Sequence, residues 1–98
     1  MRFDLSLKNS ILYANCEIET VAGRDNLRTP VAVAVNTVGE NVNKWVASVR
    51  PSERSEVTLT GPMAVWAYLV VFHAVVHSFS RVYYDDGKSG PVLISAHG

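Results

Sequence analysis

The stretch that decides the fold runs from Val57-Thr58-Leu59-Thr60-Gly61-Pro62-Met63, through an apolar segment ending in His73-Ala74-Val75-Val76-His77, to Arg81-Val82-Tyr83-Tyr84. Val57-Thr58-Leu59 has the β-branched, alternating character of a strand. Gly61 permits a backbone placement that other residues resist, and Pro62 suits a first helical turn, where a missing N–H is no loss. The spacing then predicts a helix over 62–77, with Thr60 or Gly61 at its cap. Trp66, Val70, His73 and His77 share one stripe of that helix, and Met63, Ala67, Val71 and Ala74 a neighbouring one. No Asp, Glu, Lys or Arg interrupts it. So apolar a helix needs a sheet on one side and a partner on another. Arg81–Tyr84 resumes strand character, Asp85–Gly90 reads as a turn, and Pro91 opens a last strand through His97. Strand, helix, strand is the order of a layered α/β or α+β domain.

Working outward, Phe3, Leu5 and Leu7 alternate with Asp4, Ser6 and Lys8, which predicts a half-buried strand. Asn9-Ser10 reads as a turn, and Ile11 to Ile18 as a second strand completing an N-terminal hairpin. Ala22–Pro30 is a loop by composition. Val31–Val35 reads best as a short strand, and Asn36–Asn43 as a turn or one helical turn. Lys44–Val49 is ambiguous, and Pro51-Ser52 forms an exposed junction. The expectation is one compact two-layer domain over residues 1–98, Rossmann-like or ferredoxin-like. It has an N-terminal hairpin, a central helix 62–77 and a C-terminal hairpin.

Nine basic and nine acidic residues cancel. There is thus no global field for non-specific binding to duplex DNA, although a small anion held by a few local groups is not excluded. The single cysteine, Cys16, cannot form an intrachain disulfide, and its solitary thiol fits a reducing cytoplasm. The first residues lack the shape of a signal peptide, and the longest apolar run is too short to span a bilayer. A soluble cytoplasmic protein is expected.

His73, His77 and His97 are the three histidines. A spacing of four puts the first two on one helical face, and all three adjoin the acidic turn Asp85-Asp86-Gly87-Lys88. Imidazole titrates near neutrality and binds metals. His77, Asp86 and His97 therefore form a candidate divalent-metal or acid–base cluster, of a kind that suits manganese, iron or zinc. Asp85 and Asp86 would point to opposite faces of a strand, and sequence alone favours neither. Each histidine also has a bland reading: a core imidazole, a helix-terminal cation and a terminal residue. His73-Ala-Val-Val-His77 lacks the glutamate of a zinc-protease helix, and Gly87-Lys88-Ser89 is a false match to a phosphate-binding loop. Asn9, Ser10, Asn36, Thr37, Arg50 and Arg54 are weaker polar candidates. Trp45, Trp66, Tyr83 and Tyr84 are stacking candidates, although core or interface is their commoner role.

Gly61-Pro62, the aromatic apolar helix, His73 and His77, Val82-Tyr83-Tyr84-Asp85-Asp86, the turn at Gly90, the β-branched run and Ser95-Ala96-His97 together resemble one family. It comprises the small CRISPR-associated proteins of type III systems that act on cyclic tetra-adenylate. Its members are stand-alone ring nucleases, also described as manganese-dependent RNA exonucleases. The resemblance covers the C-terminal part and aligns His77 and His73 with the family's paired histidines. Asp86 aligns with its aspartate in preference to Asp85, Lys88 with its arginine, His97 with its terminal histidine, and Gly61 with the glycine before the helix proline. Here Asp-Gly-Lys replaces Asp-Pro-Arg, and the paired histidines lie four apart instead of three. Lysine keeps the charge but loses bidentate phosphate geometry.

The resemblance implies a metal-dependent phosphodiesterase of antiviral defence that linearises cyclic tetra-adenylate or trims 3′ adenylates from short RNA. Catalytic and metal duty would fall to His77, Asp86 and His97, with manganese as cofactor, and ligand contacts to Gly61, His73 and Lys88. A homodimer or homotetramer is expected, the helix or the strand edges at its interface. The alternatives are a non-catalytic sensor or sink for the same ligand, and a small structural subunit.

Overall fold

The computed structural model describes residues 1–97. Strands β1 (Arg2–Asp4), β4 (Glu56–Thr60), β5 (Arg81–Asp85) and β6 (Val92–Ala96) form one mixed sheet in the order β1-β4-β5-β6. The first three are parallel, with Phe3 opposite Leu59 and Thr58 opposite Tyr83. β6 returns antiparallel to β5, with a bulge beside Val82 and Tyr83. Helix α1 (Val31–Ser48) links β1 to β4, and helix α2 (Val65–Val76) links β4 to β5. Both crossovers step the same way across the sheet, so the right-handed rule puts both helices on one face. Each helix starts near the carboxyl ends of the parallel strands and runs back toward their amino ends. The result is the expected two-layer α/β domain.

The core lies between the layers. Phe3, Val57, Leu59 and Val82 meet Val38, Val42 and Val46 of α1 and Val71 and Val75 of α2, all buried. Burying each such side chain is worth roughly 1.5–3 kcal/mol. Trp45 lies between Phe3 and Phe79, at ring separations of 4.2 and 5.9 Å, so it is a core residue and not a base-stacking platform. The other face of the sheet carries Arg2, Glu56, Thr58, Arg81 and Tyr83, which are exposed or half-buried, and no helix among the described residues covers it. The outer edge, β6, leaves Val92, Leu93 and Ile94 about half exposed at 51, 50 and 54 %. Among the described residues no helix is long and apolar enough to cross a membrane.

Four local expectations change. Val31–Val35 is the first turn of α1 and not a strand, and Asn36–Val49 continues that helix to Ser48. Asn41 is buried inside it and donates to Leu12 O and Ala14 O at 2.9 and 2.8 Å. The first strand stops at Asp4, and residues 6–15 form turns instead of a second strand. The N-terminal hairpin is instead β2 (Ile18–Val21) with β3 (Arg24–Leu27), so its turn and second strand fall in the supposed loop. Its two-residue turn holds Ala22 and Gly23 at φ +52° and +76°, the primed geometry that matches strand twist. The central helix begins at Val65 behind Ala64, so Gly61 and Pro62 precede it by a loop and do not cap it.

Candidate functional site

The carboxyl ends of β1, β4 and β5 form the most constructed edge of the molecule. Open α/β sheets bind ligands in the crevice outside these ends. Gly61 leaves β4 at φ +104°, and a Cβ there would lie 2.2 Å from Asp4 Oδ1 and 3.0 Å from Ser6 N. Only glycine fits, because the β4 exit runs directly against the β1 exit. Asp4 in turn accepts from Ser6 N and Ser6 Oγ, both at 2.8 Å. Asn9 Nδ2 donates to Asp4 O at 2.7 Å, and Tyr13 donates to Leu5 O at 2.5 Å. From α2, Tyr68 donates to Gly61 O at 2.5 Å, and Thr60 Oγ1 donates to Asp85 O at 3.0 Å. Burial pushes the Tyr68 hydroxyl up to about 12, helped by nearby Tyr84 and Asp4. Burial raises Tyr13 further, so both phenols stay protonated donors.

Two crevices open on this edge and share Pro62. One, about 270 Å³, is lined by Thr60, Gly61, Tyr84, Asp85, Asp86 and Gly87. Asp85 accepts from Gly87 N and pairs with Arg2 at 3.1 Å. Asp86 accepts from Ser89 N and Lys88 N at 2.9 and 2.8 Å, and these backbone bonds hold its carboxyl below the usual range. Ionised throughout the neutral range, Asp86 suits a cation or a hydroxyl donor better than it suits general-base work. The second crevice, about 430 Å³, lies between the tip of the β2–β3 hairpin and the loop leaving β4, with Ser6, Lys8, Arg24 and Met63 in its wall. Sequence reading passed over Lys8 and Arg24. The available signal was Ala22-Gly23 followed by a cation, a tight turn that carries Arg24 at its exit.

The histidines sit elsewhere. His73 and His77 stack edge to face, with centroids 5.2 Å apart. They line a groove of about 550 Å³ between α1 and α2, with Asn43 and Ser78. His97 lies at the amino ends of the strands, where its N–H donates to Ser80 O at 2.6 Å, beside Ser55 and Arg81. His77 caps the end of α2 near that same edge. Asp86 lies just past the other end of β5, whose four residue steps span roughly 13 Å. The fold therefore brings His73 to His77, and Gly61 to Asp85 and Asp86, but one chain does not bring His77, Asp86 and His97 together. Among the described residues no three His, Cys, Asp or Glu side chains form a metal-sized group. Imidazole and carboxylate donors have the right chemistry for manganese, but a single copy does not gather them, so no reaction step is routed through a metal.

Several weaker candidates have structural roles. Arg54 donates to Val49 O and Val46 O at 3.0 and 2.9 Å, closing the end of α1. Asn9 Oδ1 accepts from Ile11 N and Leu12 N and so orders the turn after β1. Lys88 is exposed on the acidic turn. Compared with known proteins, the chain matches no family model, no curated protein and no solved structure.

Proposed function

We propose that the chain binds cyclic tetra-adenylate at the carboxyl edge of its parallel strands and acts on it as a phosphodiesterase in type III CRISPR defence. The observation that carries the reading is the paired crevices at that edge, one cationic and one acidic, on loops tied down by Gly61, Asp4, Tyr13 and Tyr68. A ribose–phosphate chain needs such a pairing, with cations for phosphate and carboxylates for hydroxyls. Opening of the ring by the adjacent 2′-hydroxyl needs in-line geometry, charge neutralisation and proton transfer. Because His77 and His97 lie away from Asp86, catalysis on this reading belongs to an assembly. The histidine edge of one copy meets the aspartate edge of another, and manganese would be held across that junction. The outward stripe of α2, with Val65 and Leu69 exposed at 73 and 65 %, supports self-association.

The test is incubation with cyclic tetra-adenylate, with and without manganese, using wild type, His77→Ala, Asp86→Ala and an equimolar mixture of the two variants. Linear product from wild type, none from either variant and recovery in the mixture is the expected result. Absence of product from wild type removes the enzyme. A second reading, a sensor or sink that holds the ligand intact, is favoured by the same separation of histidines from aspartate. Calorimetric binding with the ring recovered unopened would select it.

A further inference from the structure

We propose that the β2–β3 hairpin is a flap whose Arg24, with Lys8 from the turn after β1, forms a phosphate-binding subsite over the carboxyl edge. The proposal deepens the cyclic tetra-adenylate reading and rests on it only for the identity of the nucleotide. Lys8 and Arg24 come from separate elements yet line the same crevice, about 430 Å³, opposite Pro62 and Met63. Among the described residues neither has a carboxylate within ion-pairing distance, whereas Arg2, Arg28 and Arg50 each have one. The acidic side chain in that wall, Asp25, accepts the hydroxyl of Thr20 across the hairpin at 2.6 Å. The crevice thus holds two cations to one carboxylate, in a chain whose overall charge is zero.

The hairpin is a separate two-stranded sheet with an exposed tip. Its strands pair only with each other, and Val21, Ala22, Gly23 and Arg24 at the tip are exposed. Its base is fixed, since Arg28 N donates to Glu17 O at 2.8 Å and Glu17 N donates to Thr29 Oγ1 at 2.7 Å. A tied base and a free tip bearing a guanidinium make a lever that can close on an anion. Arginine supplies paired N–H donors to phosphate oxygens, and lysine adds a point charge. Pro62 lines both crevices, so a phosphate held here would have the acidic crevice on the other side of that residue.

Calorimetry with two probes, pyrophosphate and cyclic tetra-adenylate, tests this on wild type, Arg24→Gln, Lys8→Gln and Lys44→Gln, each checked for a native circular-dichroism spectrum. Arg24→Gln and Lys8→Gln should each weaken both probes about tenfold, the loss of one charge-assisted hydrogen bond. Lys44 is an exposed cation on α1 outside both crevices, so Lys44→Gln should leave pyrophosphate binding unchanged. Slowed amide exchange at residues 18–27 on binding is the expected mark of flap closure. If cyclic tetra-adenylate binds both variants with wild-type affinity, the subsite is overturned and the function reading stands. If pyrophosphate binds through Lys8 and Arg24 but cyclic tetra-adenylate does not bind, the subsite stands and the function reading falls. If neither probe binds wild type, both fall.

Discussion

The two ends of the parallel strands are made differently. At the amino ends, neighbouring segments meet mainly through main chain: Ser80 N on Arg54 O, Arg81 N on Ser55 O, and His97 N on Ser80 O, with the Arg54 side chain closing the end of α1. At the carboxyl ends, side chains bond to main chain. Asp4, Asn9, Tyr13, Thr60 and Tyr68 each fix a loop, and Gly61 lets two of those loops touch. Main-chain ladders form whatever the side chains are, whereas side-chain ties must be specified one residue at a time. Loops held to one geometry at such cost in sequence are the ones a ligand site needs.

Gly61→Ala is the most direct way to break this contrast. Its methyl would overlap Asp4 at a positive φ, and a loss of about 3 kcal/mol should appear as a lower urea midpoint. A loss below about 1 kcal/mol would mean that the two exits can part freely. Tyr68→Phe should cost about 1.5 kcal/mol by leaving Gly61 O without its donor. The same substitution sharpens the contrast through pH. The Tyr68 hydroxyl, raised to about 12 from an ordinary 10, binds its proton more tightly folded than unfolded. Its contribution is therefore complete below pH 10 and is lost as pH rises from 10 through 12. The phenylalanine variant should lose less stability than wild type across that window. Arg54→Ala, at the amino ends, should cost about 1 kcal/mol through the end of α1, with no effect on ligand binding. His97→Ala should change stability by less than about 0.5 kcal/mol, because its visible bond is made by its backbone. A larger loss would show that the amino edge depends on the His97 side chain as well.

Most of the C-terminal half could be read from the sequence. The strand–loop–helix–strand–strand order after Val57 follows from alternation, Gly-Pro and a long apolar run, and only the first turn of the helix shifted. The N-terminal half misled for identifiable reasons. Val31, Val33 and Val35 are β-branched and alternate with alanine, which imitates a strand. Asn36, Gly39, Asn41 and Asn43 then lower helix propensity in the continuation. The counter-signal was the spacing of Ala34, Val38, Val42 and Val46, which all face the core. Alternation in Leu12, Ala14, Cys16 and Ile18 suggested a strand, but Asn9 and Asn15 organise that segment as turns, Asn15 at φ +68°. For the site, Gly61 and the acidic turn were found from local chemistry. Lys8 and Arg24 were missed because their meeting depends on the hairpin tip folding back to the turn after β1. The distance from Asp86 to the histidines was hidden because sequence proximity to one turn says nothing about which end of a strand a residue occupies.

The pairing of Phe3 with Leu59 also bears on the order of folding. β4, α2, β5 and β6 are close in the chain and can assemble early, through short loops. β1 reaches its place only after the whole intervening chain, including the hairpin and α1, has been looped out, and such distant closure is slow. The cationic crevice takes one wall from the residues that follow β1, and the acidic one includes Gly61, against which Asp4, Leu5 and Ser6 lie. The binding edge is therefore the last part of the molecule to exist, and recovery of ligand binding during refolding should trail recovery of helical signal.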